Sequence, residues 1–337
     1  MRKLLLILLP LFFLACIEEP KYSNTPRDNF EALWKILDEH YCFFEYKTID
    51  WNEVHDRYGK RITNSMNEEQ LFGVLGEMLG ELKDGHVNLY SSFDITRYWA
   101  WYENFPSNFN LELLKKNYLG KDYQISSGIK YKLFTDNIGY IYYESFSDDI
   151  GDGNLDQIIS KFSACNGIII DIRDNGGGSL SNVDILAARF TNERKLVGYI
   201  QHKTGKGHTD FSSLYPKYLE STGRLRFQKP VVVLTNRHCY SSANDFVSVM
   251  KQLPTVTIMG DKTGGGSGLP FNSELPNGWS IRFSASPLYD ADKNQTEFGI
   301  DPDVTVEMTE SDAKKGLDTI IETARKLIVQ KAKDPSQ

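Results

Sequence analysis

The stretch Pro230-Val231-Val232-Val233-Leu234-Thr235-Asn236-Arg237-His238-Cys239-Tyr240-Ser241-Ser242-Ala243-Asn244-Asp245-Phe246 decides the fold. It opens as a β-branched run, the mark of a strand buried on both faces of a parallel sheet. Its end turns small and polar and starts a helical pattern, with Phe246, Val249, Met250 and Leu253 on one side. Ser241 stands at the junction. A helix start offers unpaired N–H groups and the positive end of the dipole. A serine nucleophile needs both, because its tetrahedral intermediate sets an oxyanion against backbone donors. The position also suits a plain N-cap serine, and this stretch alone leaves both readings open.

Outward from it, the same rhythm repeats. Upstream, Gly167 to Ile172 is another buried strand, pouring into Arg173-Asp174-Asn175-Gly176-Gly177-Gly178-Ser179 and then a helix over 182–190. Strands are expected at 131–134 and 138–143, around an Asp136-Asn137 turn, with a helix over 154–164. Downstream, Val256 to Gly260 reads as a strand feeding Asp261-Lys262-Thr263-Gly264-Gly265-Gly266-Ser267-Gly268. A strand over 279–286 follows, then the loop Thr296-Glu297-Phe298-Gly299-Ile300-Asp301-Pro302-Asp303 and a closing helix from about 311 to 330. Alternating strands and helices imply an α/β fold with a mainly parallel sheet and helical crossovers.

Ahead of this core lies a small helical N-terminal unit. Phe30, Leu33, Trp34, Leu37 and Tyr41 recur at helical spacing, a second helix follows Asp50-Trp51, and a third covers 67–82. The unit runs into Asp84-Gly85-His86, a turn leading into a short strand. A lone histidine is usually structural, but a loop-to-strand junction is where catalytic groups are displayed. Residues 93–130 are aromatic-rich and give no regular pattern.

The start of the chain reads as a targeting segment. Arg2 and Lys3 precede an apolar run from Leu4 to Ala15, short for a membrane span and shaped like a signal-peptide core. It ends in Leu14-Ala15-Cys16, which resembles the lipobox of bacterial lipoproteins, with Cys16 as the acylated residue. The expected organisation is a lipoprotein signal peptide (1–15), a polar tether (16–26), a helical N-terminal domain (27–92) and an α/β core (93–337).

Composition bounds the partners. The formal net charge of -7 and the lack of a basic stripe argue against nucleic acid. Cys42, Cys165 and Cys239 fit no metal spacing and are expected to be buried small hydrophobes. Cys239 also competes weakly with Ser241 as a nucleophile, since it falls before the helix start. The triple glycine at 176–178 lacks the lysine and spacing of a phosphate loop; glycines after a parallel strand also let a substrate backbone approach and expose an N–H.

Taken together, Asp84-Gly85-His86, Asp171-x-Arg173-x-Asn175-Gly-Gly-Gly178, Ser241-Ser-Ala-Asn244, Thr263-Gly-Gly-Gly-Ser-Gly268 and Glu297-Phe-Gly-Ile-Asp-Pro-Asp303 resemble the C-terminal processing (tail-specific) peptidases and their tricorn-core relatives. Each motif alone is weak, and their shared order over residues 28–310 carries the resemblance. It implies a ClpP/crotonase-like α/β core and serine acyl transfer. Ser241 would be the nucleophile, His86 the general base and Glu297 the supporting carboxylate. The backbone N–H groups of Gly177 and Ser242 would form the oxyanion hole. In the processing branch a lysine serves as base; alignment puts Gly266 at that position and leaves Lys262 beside it. Two departures stand out: Gly85 replaces the serine that precedes the histidine in tricorn-like sites, and Asn244 replaces an acid, with Asp245 adjacent. The PDZ domain of many relatives does not fit within 93–130. No metal or organic cofactor is implied. The substrate implied is a peptide or unfolded protein, met at the cell envelope through a lipid on Cys16. A catalytically weak peptide-binding protein on the same scaffold is the main alternative; acyl-thioester chemistry, as in crotonase-like enzymes, conflicts with export.

Overall fold

In a computed structural model, which describes residues 22–333, the chain begins with the four helices α1 (Pro26–His40), α2 (Phe44–Lys47), α3 (Trp51–Gly59) and α4 (Glu68–Gly80). The expected signal peptide, Cys16 and the tether as far as residue 21 lie outside the described residues. Each longer helix starts on a local cap. Thr25 accepts from the Asp28 N–H with Pro26 behind it, Asp50 accepts from Glu53, and Asn67 forms a reciprocal capping box with Gln70. Their apolar faces meet the strand β11 (Ser280–Tyr289), so Phe30, Leu33, Leu75 and Met78 share a core with Ile281 and Phe283.

The main sheet has seven strands in the order β12 (Val304–Thr305), β9 (Val256–Gly260), β8 (Val231–Thr235), β5 (Gly167–Asp171), β4 (Ile138–Tyr143), β3 (Ile129–Leu133) and β2 (Gln124–Ser126). The five from β12 to β4 are parallel, and β3 and β2 are antiparallel additions. All five residues of β8 and of β5 are buried, as their unbroken apolar runs demand. Helices α5 (Asp152–Phe162), α6 (Leu180–Ala187) and α7 (Ser242–Met250) cover one face. The closing helix α8 (Thr319–Lys333) covers the other.

Two expectations change. The closing helix is two pieces, Glu310–Lys314 and α8, because Gly316 takes a left-handed turn (φ +76°) that ends the first piece. The structure also contains a second, antiparallel sheet that the sequence pattern did not reveal: β1 (Asn88–Tyr90), β11, β6 (Lys195–Ile200) and β7 (Tyr215–Leu219), with β10 (Gly268–Glu274) on the other side of β11. Pro216 and Pro270 sit in its outer strands, where a missing N–H is tolerated.

Part of the Asp171-x-Arg173 motif serves the fold. Arg173 is fully buried at the end of β5, donating to Asp171 at 2.6 and 2.9 Å, to Asp318 at 3.0 and 3.2 Å and to the Asn108 carbonyl. The guanidinium thereby ties α8 and the 108 region to the strand that delivers the glycine turn. Among the described residues, no helix is long and apolar enough to cross a membrane.

Candidate active site

The carboxyl ends of β5 and β8 open side by side, and the loops leaving them build the site. Between Thr235 and Ser242 the chain makes a tight turn that puts Ser241 in a positive-φ conformation (φ 56°, ψ -121°), a region costly for a residue with a Cβ. The turn aims the side chain away from the helix it precedes, so Ser241 makes no side-chain cap bond. Its Oγ lies 2.9 Å from Nε2 of His86 instead. The capping alternative is therefore not the one realised.

His86 arrives from the opposite side, at the end of the helical unit. Asp84 accepts its backbone N–H at 2.8 Å, and the Tyr41 hydroxyl and Ser284 hydroxyl both donate to that carboxylate at 2.9 Å. The imidazole is only 4% exposed and packs against the Tyr240 ring. Burial, opposed by Asp84 and reinforced by Arg282 and Lys47, lowers its pKa to about 4. The imidazole is thus uncharged at neutral pH, and in its Nδ1–H tautomer Nε2 accepts from the Ser241 hydroxyl. Nδ1 is buried with no partner among the described residues.

Glu297 is 4% exposed and makes no hydrogen bond with His86. One carboxylate oxygen takes the Lys47 ammonium at 2.7 Å and the other takes the Ser267 N–H at 2.9 Å. Burial and the Asp84 charge raise its pKa, with Lys47 pulling the other way. Lys47 is the residue that sequence reasoning missed. It belongs to no motif, and its contact with Glu297 spans 250 residues of chain.

The glycine loops pack backbone against backbone. The Ser241 N–H donates to Gly265, Gly264 to Cys239 and Gly266 to Glu297. A Cβ on Gly266 would run into the Tyr240 ring, so the position aligned with the base of the lysine branch has no room for a side chain. Lys262 turns away to Asp301. At Gly177 (φ +102°) a Cβ would meet Ser241 Cβ at 2.8 Å and the Ser242 nitrogen at 2.9 Å, so only glycine fits against the nucleophile. The Gly177 N–H donates to the Asn175 side chain at 2.9 Å. The Ser242 N–H, at the first position of α7, takes no acceptor among the described residues, and its hydroxyl donates to Gly178.

The two departures have structural explanations. A Cβ at Gly85 would sit 2.8 Å from both the Trp101 indole nitrogen and the Tyr240 hydroxyl. These rings stack at 4.2 Å and fill the place of a serine side chain. Asn244 donates to the Thr296 carbonyl at 3.2 Å and accepts the Thr263 hydroxyl at 2.6 Å, pinning the glycine loop to the Glu297 loop. Asp245 pairs with Lys217. Cys239 is fully buried, donates to the Ile172 carbonyl and has its thiol pKa raised by burial, so it is no rival to Ser241. Cys42 and Cys165 are likewise free and buried.

Known proteins resemble this chain in sequence and fold. Residues 137–306 match the model of peptidase family S41, and residues 22–80 match that of the tricorn protease C1 domain. The carboxy-terminal processing protease CtpA of Bacillus subtilis (strain 168) is 24% identical over 174 residues, 51% of this chain and 35% of its own length. The tricorn protease of Thermoplasma acidophilum is 27% identical over 203 residues, 58% of this chain and 17% of its own. The chain thus spans about a third or less of these curated relatives. Among solved structures, a candidate peptidase from Parabacteroides merdae ATCC 43184 is 57% identical, with a TM-score of 0.88 over 92% of this chain and 98% of its own. Mature CPAF, at 14% identity, shares the fold with a TM-score of 0.73 over 93% and 98%. With half of its length matched by one family model and a close relative of the same extent, the chain belongs to peptidase family S41, a family of serine proteases.

Proposed function

We propose that this protein is an exported, lipid-anchored serine peptidase that cleaves peptide or unfolded protein substrates through an acyl-enzyme on Ser241. The observation that carries the reading is the 2.9 Å contact between Ser241 Oγ and Nε2 of a His86 ring that burial keeps uncharged. His86 takes the hydroxyl proton as Oγ attacks the carbonyl, then passes it to the leaving amine; water repeats the cycle to free the acyl group. The Ser242 N–H at the start of α7 receives the oxyanion. Gly177 is the second donor in this reading, and its N–H exchanges the Asn175 oxygen for the oxyanion when substrate is in place. Glu297 and Asp84 offset the imidazolium charge through space. Export is supported by the apolar run 4–15 and by Cys16 at a lipobox-like junction, and in this reading the lipid anchor and the substrate meet at the cell envelope.

The occupied Gly177 N–H favours one second reading, a scaffold that binds peptides without turnover. Hydrolysis of an unfolded protein by the wild type, Ser241→Ala and His86→Ala separates the two. Cleavage lost in both variants supports the peptidase. A wild type that binds peptides yet stays inert at every pH supports the binding protein. Mass spectrometry of the mature N-terminus from cells tests the anchor: a diacylglyceryl-modified Cys16 is expected, and an intact residue 1 overturns it.

A further inference from the structure

We propose that Lys47 is a positioning residue of the active site, whose ammonium ties Glu297 to the loop that carries His86 and so sets the base's place and charge surroundings. The inference rests on the peptidase reading above. Lys47 closes α2 in the helical unit, yet its side chain is only 4% exposed and ends behind His86. Its Nζ reaches Glu297 at 2.7 Å, the Leu82 carbonyl at 3.3 Å, the Lys83 carbonyl at 3.2 Å and Asp84 at 3.5 Å. The two carbonyls and Asp84 form the turn that immediately precedes Gly85-His86, and Lys83 holds a left-handed conformation in it (φ 46°). An ammonium gathering the carbonyls of that turn holds open a backbone shape that would otherwise relax.

Stability alone gives a weak reason to bury a lysine here. Apolar residues of similar volume often replace a buried ion pair at no cost, and the neighbouring Tyr41, Phe43 and Phe298 rings would suit one. The charge count gives a better reason. Asp84 and Glu297 are two buried carboxylates near a base that must become cationic, and Lys47 is the cation between them. The ionisable groups facing this cluster are Tyr41, Cys42, Tyr46 and Tyr240, with Arg282 and His86 on the strand side. None of the tyrosines or the thiol carries charge near neutral pH, because burial raises them all. Removing Lys47 therefore leaves the carboxylates to share a proton, and the pair then supports the imidazolium less well.

The test measures kcat, KM, melting temperature and the pH profile of the full-length protein with Lys47→Met, Glu297→Gln and the double variant. The expected result for Lys47→Met is a kcat lowered about 100-fold with KM nearly kept, of the order a misplaced general base causes. Its acid limb should move to higher pH, because a carboxylate must now ionise. Lys47→Arg, which keeps the charge but not the compact geometry, should recover part of kcat and the wild-type limb. A Lys47→Met protein with wild-type kcat and pH profile but a lower melting temperature would show a purely structural lysine and overturn the proposal. If Lys47→Met does not fold, the double variant decides. It lacks both buried partners, and its kcat must fall below that of Glu297→Gln alone; an equal kcat overturns the proposal. Failure of the underlying reading looks different: the wild type is inert or Ser241→Ala is active.

Discussion

Ser241 Oγ and His86 Nε2 stand 2.9 Å apart although 155 residues separate them in the chain, and the second ring nitrogen of His86 has no partner among the described residues. The pair is thus held from one side only, by packing against Tyr240 and by the Asp84 bond to the His86 backbone. Burial places the imidazole pKa at about 4. The base is unprotonated over a wider acid range than an ordinary histidine allows, so the limb of kcat/KM that belongs to His86 should lie near pH 4, with a separate step at higher pH where the raised Glu297 carboxyl takes up its proton. A pH–rate profile of peptide hydrolysis by the wild type and Glu297→Gln checks this; a limb near about pH 6.5 that survives in Glu297→Gln would mean that His86 is solvated in the working enzyme.

The same shift acts on stability. The unfolded chain takes up a proton at His86 below about pH 6.5, while the folded protein refuses it until about pH 4. The unfolded state binds more protons across that window, so His86 makes stability rise with pH there, by about 3 kcal/mol in all. Above pH 6.5 its contribution is flat. Urea denaturation of the wild type and His86→Gln between pH 4 and 7 measures it. The variant should lose less stability on acidification, and parallel curves would refute the linkage.

Glu297 does not touch His86, since its oxygens are taken by Lys47 and the Ser267 N–H, and in the proposed mechanism it acts on the imidazolium through space. Glu297→Gln should therefore lower kcat by about 10- to 100-fold, an electrostatic loss of about 1.4 to 2.8 kcal/mol. Ser241→Ala and His86→Ala, which remove the reacting atoms, should cost about 10⁴-fold or more. Side-by-side kcat values decide it. Losses of equal size would place Glu297 in direct contact with the imidazole during turnover.

What could be read from the sequence was local. The helical spacing of Phe30 to Tyr41, the helices after Asp50-Trp51 and over 67–82, and the apolar runs of β5 and β8 are signals within a few residues, and those elements lie where the pattern put them. The meeting of Ser241 with His86 was legible only through the resemblance to the tail-specific peptidases, because each turn alone also suits a structural residue. Lys47 carries no such signal, and its bond to Glu297 depends on how the helical unit docks. Gly85 looked like a defect because the rings that fill its place, Trp101 and Tyr240, come from distant segments. The antiparallel sheet escaped because β7 and β10 are largely solvent-exposed and carry prolines, so neither shows the alternation of a half-buried strand.

Cys239 precedes the nucleophile by two residues, and its thiol is a hydrogen-bonded core group. Cys239→Ser keeps a donor for the Ile172 carbonyl with little change in volume. Peptide hydrolysis should remain within about threefold of the wild type, with stability lowered by about 1 kcal/mol. Loss of turnover comparable to Ser241→Ala would return the nucleophile assignment to the cysteine.

The fully buried Arg173 offers the sharpest stability test, because it has two anionic partners and no solvent exposure. Asp318→Ala removes the partner from α8 and leaves Asp171 and the Asn108 carbonyl to hold the guanidinium. It also frees the N–H groups of Ile320 and Ile321 that Asp318 caps at the start of α8. Breaking one arm of a buried ion network costs about 3–5 kcal/mol, and the lost cap adds about 1 kcal/mol. Denaturant unfolding should show a loss near the sum. Adding Arg173→Met to Asp318→Ala should recover part of it if the uncompensated charge causes most of the loss, whereas a further drop would show that the Asp171–Arg173 pair itself holds the turn beneath the glycines.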